Sequence, residues 1–140
     1  MKPDIPVAAS DLAERLRTEI VPGLSGFRAN NVAMTAQMLD MIGERWDDAA
    51  AVLFEENAAL RVLLERGAAY RTSAGTVAAS DTDLRISALT RANTQLRSAL
   101  IALQTMVEQH DDADARALNS AIWSELRRSV DRRRVKSANF

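Results

Sequence analysis

Apolar residues recur at steps of three and four along most of the chain, and Val, Ile, Thr and aromatic residues never alternate with polar ones over a strand-length window. This periodicity predicts an all-α protein. Ser10 and Asp11 are good cap residues ahead of Leu12, Leu16 and Ile20, the stripe of a short first helix that Pro22 and Gly23 should end. After Ser25 and Gly26 a second helical pattern begins, with Val32, Met34, Met38, Met41, Ile42 and Trp46. Asp47 and Asp48 suit the first turn of a further helix, although an unbroken helix through Trp46 also fits the spacing.

From Trp46 the spacing becomes heptad-like. Trp46, Ala50, Leu53, Asn57, Leu60 and Leu64 alternate steps of four and three, the d and a positions of a coiled-coil seam, until Gly67 ends it. Residues 71–80 are small and polar and read as a connecting loop. Ser80 and Asp83 resemble a capping box, predicting a long helix over 81–110 with the seam Ile86, Leu89, Asn93, Leu96, Leu100, Leu103 and Val107. The run His110-Asp111-Asp112-Ala113-Asp114 interrupts it, and a last helix carries Leu118, Ile122, Leu126 and Val130. The expected architecture is one domain over 1–140, an up-and-down bundle of four or five helices. Its spine is an antiparallel hairpin of 47–70 against 81–110, and 1–9 and 134–140 are flexible tails.

A shift of 36 residues aligns Leu53 with Leu89, Asn57 with Asn93, Leu60 with Leu96, Arg61 with Arg97 and Leu64 with Leu100. Duplication and convergent heptad spacing both produce such a match. Either way an Asn occupies an a position in both helices, where a buried amide fixes register or partner number once its hydrogen bonds are made. Two arrangements satisfy the pair: the hairpin, which is the simpler, and a parallel homodimer in which each Asn meets its own copy and Glu56 at g pairs with Arg61 at the following e. Asn57, Leu60, Arg61, Leu64, Asn93, Leu96, Arg97 and Leu100 are therefore the candidate register and association residues. Leu60, Leu63 and Leu64 with Leu96, Leu100 and Leu103 make an apolar stripe wide enough to exceed what one bundle buries, whereas Met34, Met38 and Met41 read as core filling.

Composition narrows the chemistry. With no cysteine and one histidine, disulfides, thiol catalysis and nucleophile-plus-base arrangements have little to work with. No Walker loop, dinucleotide fingerprint or Gly-x-Ser-x-Gly occurs. The acids around His110 lack the glycine and twelfth-position Glu of a calcium loop and read as a solvated helix junction; no cofactor or metal site is expected. The longest apolar run is far short of the ~20 residues of a membrane span, and the start lacks a secretory core, so a cytoplasmic protein is expected.

Net charge is −1, yet residues 116–140 carry seven Arg or Lys against two acids, a net +5. Arg127, Arg128, Arg132, Arg133, Arg134 and Lys136 form the one cluster suited to an anion or nucleic acid, although no aromatics are interleaved to stack on bases. Residues 12–44, through Leu12, Ile20, Pro22, Leu24, Gly26, Val32, Ala33, Leu39, Ile42 and Glu44, resemble the start of uncharacterised bacterial helical proteins encoded beside phosphotransferase-like and acyl-CoA dehydrogenase-like enzymes. That resemblance implies an accessory role and carries over no catalytic residue. The expectation for function is a non-enzymatic interaction or self-association module whose partner is a second copy or another helical protein.

Overall fold

The computed structural model describes residues 4–70 and 78–137. It is all-α, with no strand among the described residues, and has four helices: α1 (Ile5–Arg15), α2 (Gly26–Arg66), α3 (Ile86–Val107) and α4 (Ala113–Arg132). Two compact units divide it, Met1–Ala49 with Arg134–Phe140 and Ala50–Arg133, and α2 contributes to both. No described helix is long and apolar enough to cross a membrane.

In the first unit α1 begins at Ile5, inside what the sequence assigns to a flexible tail. Asp4 caps it, accepting from the Val7 amide at 3.3 Å, and Pro6 stands in the first turn, where its missing N–H costs nothing. Ser10 and Asp11 consequently lie within the helix. The buried face is Ala9 and Ala13, not the Leu12 and Ile20 stripe, because α1 lies close to α2 at Gly43, where only small side chains fit. A π-helical turn (Leu16–Ile20) and a 3-10 turn (Val21–Gly23) follow, and Gly26 starts α2 at a φ of +58°, a backbone angle that favours glycine. α2 runs unbroken for 41 residues through Asp47 and Asp48.

In the second unit, Leu60, Leu63 and Leu64 of α2 pack with Leu96, Leu100, Leu103 and Val107 of α3 and Ala115, Leu118 and Ile122 of α4. The leucine stripe expected to exceed the capacity of one bundle is thus its core. The sense of the central pair also differs from the antiparallel expectation. Asn57 bonds to Asn93 and to the Leu89 carbonyl, Gly67 lies against Leu103, and Tyr70 stacks edge-on to His110, so α2 and α3 advance together and are parallel. α4 runs back against both, since Arg97 meets Ser129 and Gln104 meets Asn119.

The reason lies in the connection. Treated as a short turn, residues 71–80 demand antiparallel neighbours; in fact fifteen residues separate Tyr70 from Ile86. Extended, fifteen residues reach up to ~50 Å, more than the ~30 Å of helix they must retrace. Of the predicted loop, 71–77 lie outside the described residues, and the rest is tied to α2: Arg61 Nε donates to the Ala78 carbonyl at 2.8 Å and its terminal nitrogens hold Asp81 at 2.7 and 3.0 Å. The capping-box start at Ser80 is displaced as well, because Asp81 is occupied by Arg61 and Asp83 by Arg85; α3 begins only at Ile86.

Candidate functional site

Above the leucine core of the second unit lies a layer of buried polar side chains. Asn57 Nδ2 donates to the Leu89 carbonyl (3.2 Å) and to Asp81 (3.1 Å), its oxygen accepts from Asn93 Nδ2 (3.0 Å), and Asn93 accepts in turn from Arg133 (3.2 Å). Glu56 has no exposed surface. One of its oxygens accepts from Arg97 Nε at 2.8 Å and from Arg97 Nη2, the other from Arg133 at 2.8 and 3.1 Å; Arg97 also donates to Ser129 Oγ at 2.6 Å. Among the described residues no buried side-chain polar atom lacks a partner.

The 36-residue shift explains this pattern. In a parallel coiled coil a opposes a and d opposes d, with a g residue pairing with the following e residue of the partner helix. Asn57 and Asn93 are both a, Gly67 and Leu103 are both d, and Glu56 at g meets Arg97, the counterpart of Arg61 at e. The ion pair expected between two chains is therefore made between the two repeats of one chain. Arg61 has no such g partner, since Ala92 occupies the position equivalent to Glu56; Asp81 from the connection supplies the carboxylate.

Burial pushes the Glu56 carboxyl up, but hydrogen bonds from Arg133, Arg97 and Asn93 outweigh that and hold it below the ordinary value of 4.5. The Arg61 fork likewise holds Asp81 down, against burial and with help from Asn57. Glu125, also buried, sits between Arg128 (3.2 Å) and Arg132 on α4. The C-terminal basic run is thus distributed. Arg133 closes the polar layer, Arg128 and Arg132 flank Glu125, Arg127 reaches Ser124 at 3.3 Å, and Arg134 and Lys136 belong to the first unit. The sequence carries the signal: Ala115, Leu118, Ile122, Glu125 and Ser129 keep the three-four spacing and are all buried, while Val130, assigned to the apolar stripe, is 65% exposed.

At the α3–α4 junction Asp112 caps α4 through the Ala115 amide (2.8 Å) and accepts from Tyr70 Oη (2.9 Å). Both bonds lower its pKa, and the second raises that of Tyr70. His110 caps its own helix end at the Met106 carbonyl, 2.9 Å away.

The first unit presents the opposite picture. Among its described residues the buried hydrophobic side chains are Ala9, Ala13 and Ala36. Along α2, Phe27 is 79% exposed, Met34 and Met38 57% each, Ile42 52% and Trp46 56%. At 100° per residue, Phe27, Met34 and Met38 point away from the α1-facing side marked by Ala36 and Gly43; Ile42 stands beside them, whereas Trp46 turns back toward α1 and lines a pocket with Ile5, Pro6, Val7 and Gly43. Of the methionines assigned to core filling, Met34 and Met38 therefore lie largely outside the core, because α1 covers the other side of α2, and Met41 is half-buried. A flank of the same helix holds residues 136–137: Glu44 accepts from the Lys136 and Ser137 amides (2.7 and 3.0 Å) and from Ser137 Oγ (2.9 Å), and Gln37 donates to the Ser137 carbonyl. These bonds, the two from backbone first, lower the Glu44 pKa. The start of the predicted C-terminal tail is consequently anchored. Comparison of the chain with family models, with curated proteins and with solved structures finds no match.

Proposed function

We propose that this chain is a non-enzymatic helical interaction module that works by protein–protein contact through the first half of α2. The exposed row Phe27, Met34, Met38 and Ile42 carries the reading. Each of these side chains forfeits ~25 cal/mol for every Å² of apolar surface left in water, and together they form a continuous face on one helix. Methionine suits such a face, since its flexible, polarizable side chain repacks against a partner. The buried polar layer of the second unit supports the same reading from the other side. Its side chains are spent on one another, which serves register and pairing of helices.

A photo-cross-linking amino acid placed at Phe27 in the full chain tests the proposal in the native host. It should give discrete protein adducts that the same group at Val62, exposed on the second unit, does not give. Equal or absent labelling at the two positions would overturn it.

A further inference from the structure

We infer that the occupant of the α2 face is a second copy of this chain, the two faces packing across a two-fold axis close to Met38; this rests on the interaction reading above. The face brings almost no charge. Between Phe27 and Ile42 only Arg28 and Asp40 are charged, and Asp40 is engaged by Arg17 of the preceding π-helical turn. A strongly acidic or basic partner would find nothing to match, whereas a second copy meets apolar surface with apolar surface and no opposed like charges.

Area and geometry agree. With large apolar side chains offering ~200 Å² each, the exposures of Phe27, Met34, Met38 and Ile42 leave about 500 Å² per copy to be covered, more than half of the ~800 Å² per partner of a standard interface. Met34, Met38 and Ile42 are spaced by four and form a single ridge. Two identical ridges of that kind interdigitate in the commonest helix-packing class, and a two-fold axis closes the pair so that it does not grow into a filament. The first unit, whose buried hydrophobic side chains among the described residues are alanines, gains from a partner helix what it cannot bury alone.

Sedimentation velocity of the full chain should show a dimer that dissociates on dilution. Met38→Glu and Met38→Lys should each weaken it by about 100-fold or more at unchanged helical circular dichroism, because each buries an unpaired charge at the axis. An equimolar mixture of the two variants should restore the dimer, a result that only self-pairing at this position produces. Met38→Cys, in a chain that otherwise has no thiol, should give a disulfide-linked dimer on oxidation. Wild-type protein that stays monomeric at all concentrations, or a dimer indifferent to both Met38 charges, overturns the inference. If Phe27 adducts are then to another protein, the interaction reading stands without it; if there are none, both fall.

Discussion

Glu56→Gln keeps the shape of the side chain and removes its charge, so it isolates what the carboxylate does at the head of the bundle. In the folded protein Glu56 is wholly buried and takes hydrogen bonds from Arg97 on α3 and from Arg133, the C-cap residue just after α4. The amide can still accept at its oxygen but turns an NH₂ toward one of the two guanidinium groups. Hydrogen bonds to charged groups are worth ~1.5–3 kcal/mol each, and stranding a fully buried charge costs ~3–5 kcal/mol. Arg97 and Arg133 are 37% and 42% exposed, so water recovers part of what they lose. The expected loss is therefore about 2–3 kcal/mol, a fall in Tm of roughly 10 °C. Urea unfolding followed by circular dichroism measures it at constant m-value.

The pH dependence supplies a second readout. The Glu56 pKa is depressed on folding, so its stabilisation is complete above the unfolded value of 4.5 and is lost as pH falls through the lower folded value. The gap between wild type and Glu56→Gln should stay constant above about pH 5.5 and close below pH 4.5, where a protonated Glu resembles Gln. A difference under ~0.5 kcal/mol at neutral pH, or one unchanged in acid, would refute the assignment of Glu56 as the ionised centre of the layer.

Asp81→Ala should cost about 1–3 kcal/mol in urea unfolding, because it strands the Arg61 fork and one Asn57 bond. Asp83→Ala, which removes a half-exposed carboxylate that Arg85 holds at about 2 outside the Arg61 contact, should leave the midpoint nearly unchanged; equal effects would show that the connection is not fastened at Asp81. Gly67→Ala separates local from tertiary energetics by sign: the reduced freedom of the unfolded chain alone predicts a gain of ~0.4–1 kcal/mol, whereas a Cβ driven into Leu103 predicts a loss of ~1–3 kcal/mol, the expected result. Asn93→Leu should cost about 1–3 kcal/mol by stranding Asn57, and adding Asn57→Leu should recover part of it; strictly additive losses would mean the two amides do not act as a pair. Glu44→Gln should move the amide NMR signals of Lys136 and Ser137 and speed their hydrogen exchange, and unchanged amides would mean the carboxylate does not hold that segment.

Helix content, the heptad seams and the junction around His110 followed from the sequence alone, because three-four spacing acts between residues a turn apart, whereas the structure places the side-chain caps at Asp4 and Asp112 and not at Ser10, Asp11 or Ser80. The 36-residue repeat and its a-position Asn pair were equally legible, while the g-to-e ion pair, which the spacing assigns to Glu56 with Arg61 of a second copy, is made with Arg97. Whether the pairing formed within one chain or between two was not legible, since heptad spacing is the same in both cases. Only the tertiary structure decided that the repeats lie parallel in one chain, because the deciding contacts, Arg61 with Asp81 and Ala78, join a helix to an irregular segment that has no periodicity to read. The same limit applied to the two apolar stripes. By composition the leucines and the methionines are equally suited to a core; their fates diverged because α4 covers Leu60, Leu63 and Leu64, while the small Ala9 and Ala13 face of α1 lies on the far side of α2 from Met34 and Met38. Hydrophobic periodicity marks which side of a helix is fit for burial, and what actually covers that side is a property of neighbours distant in the chain.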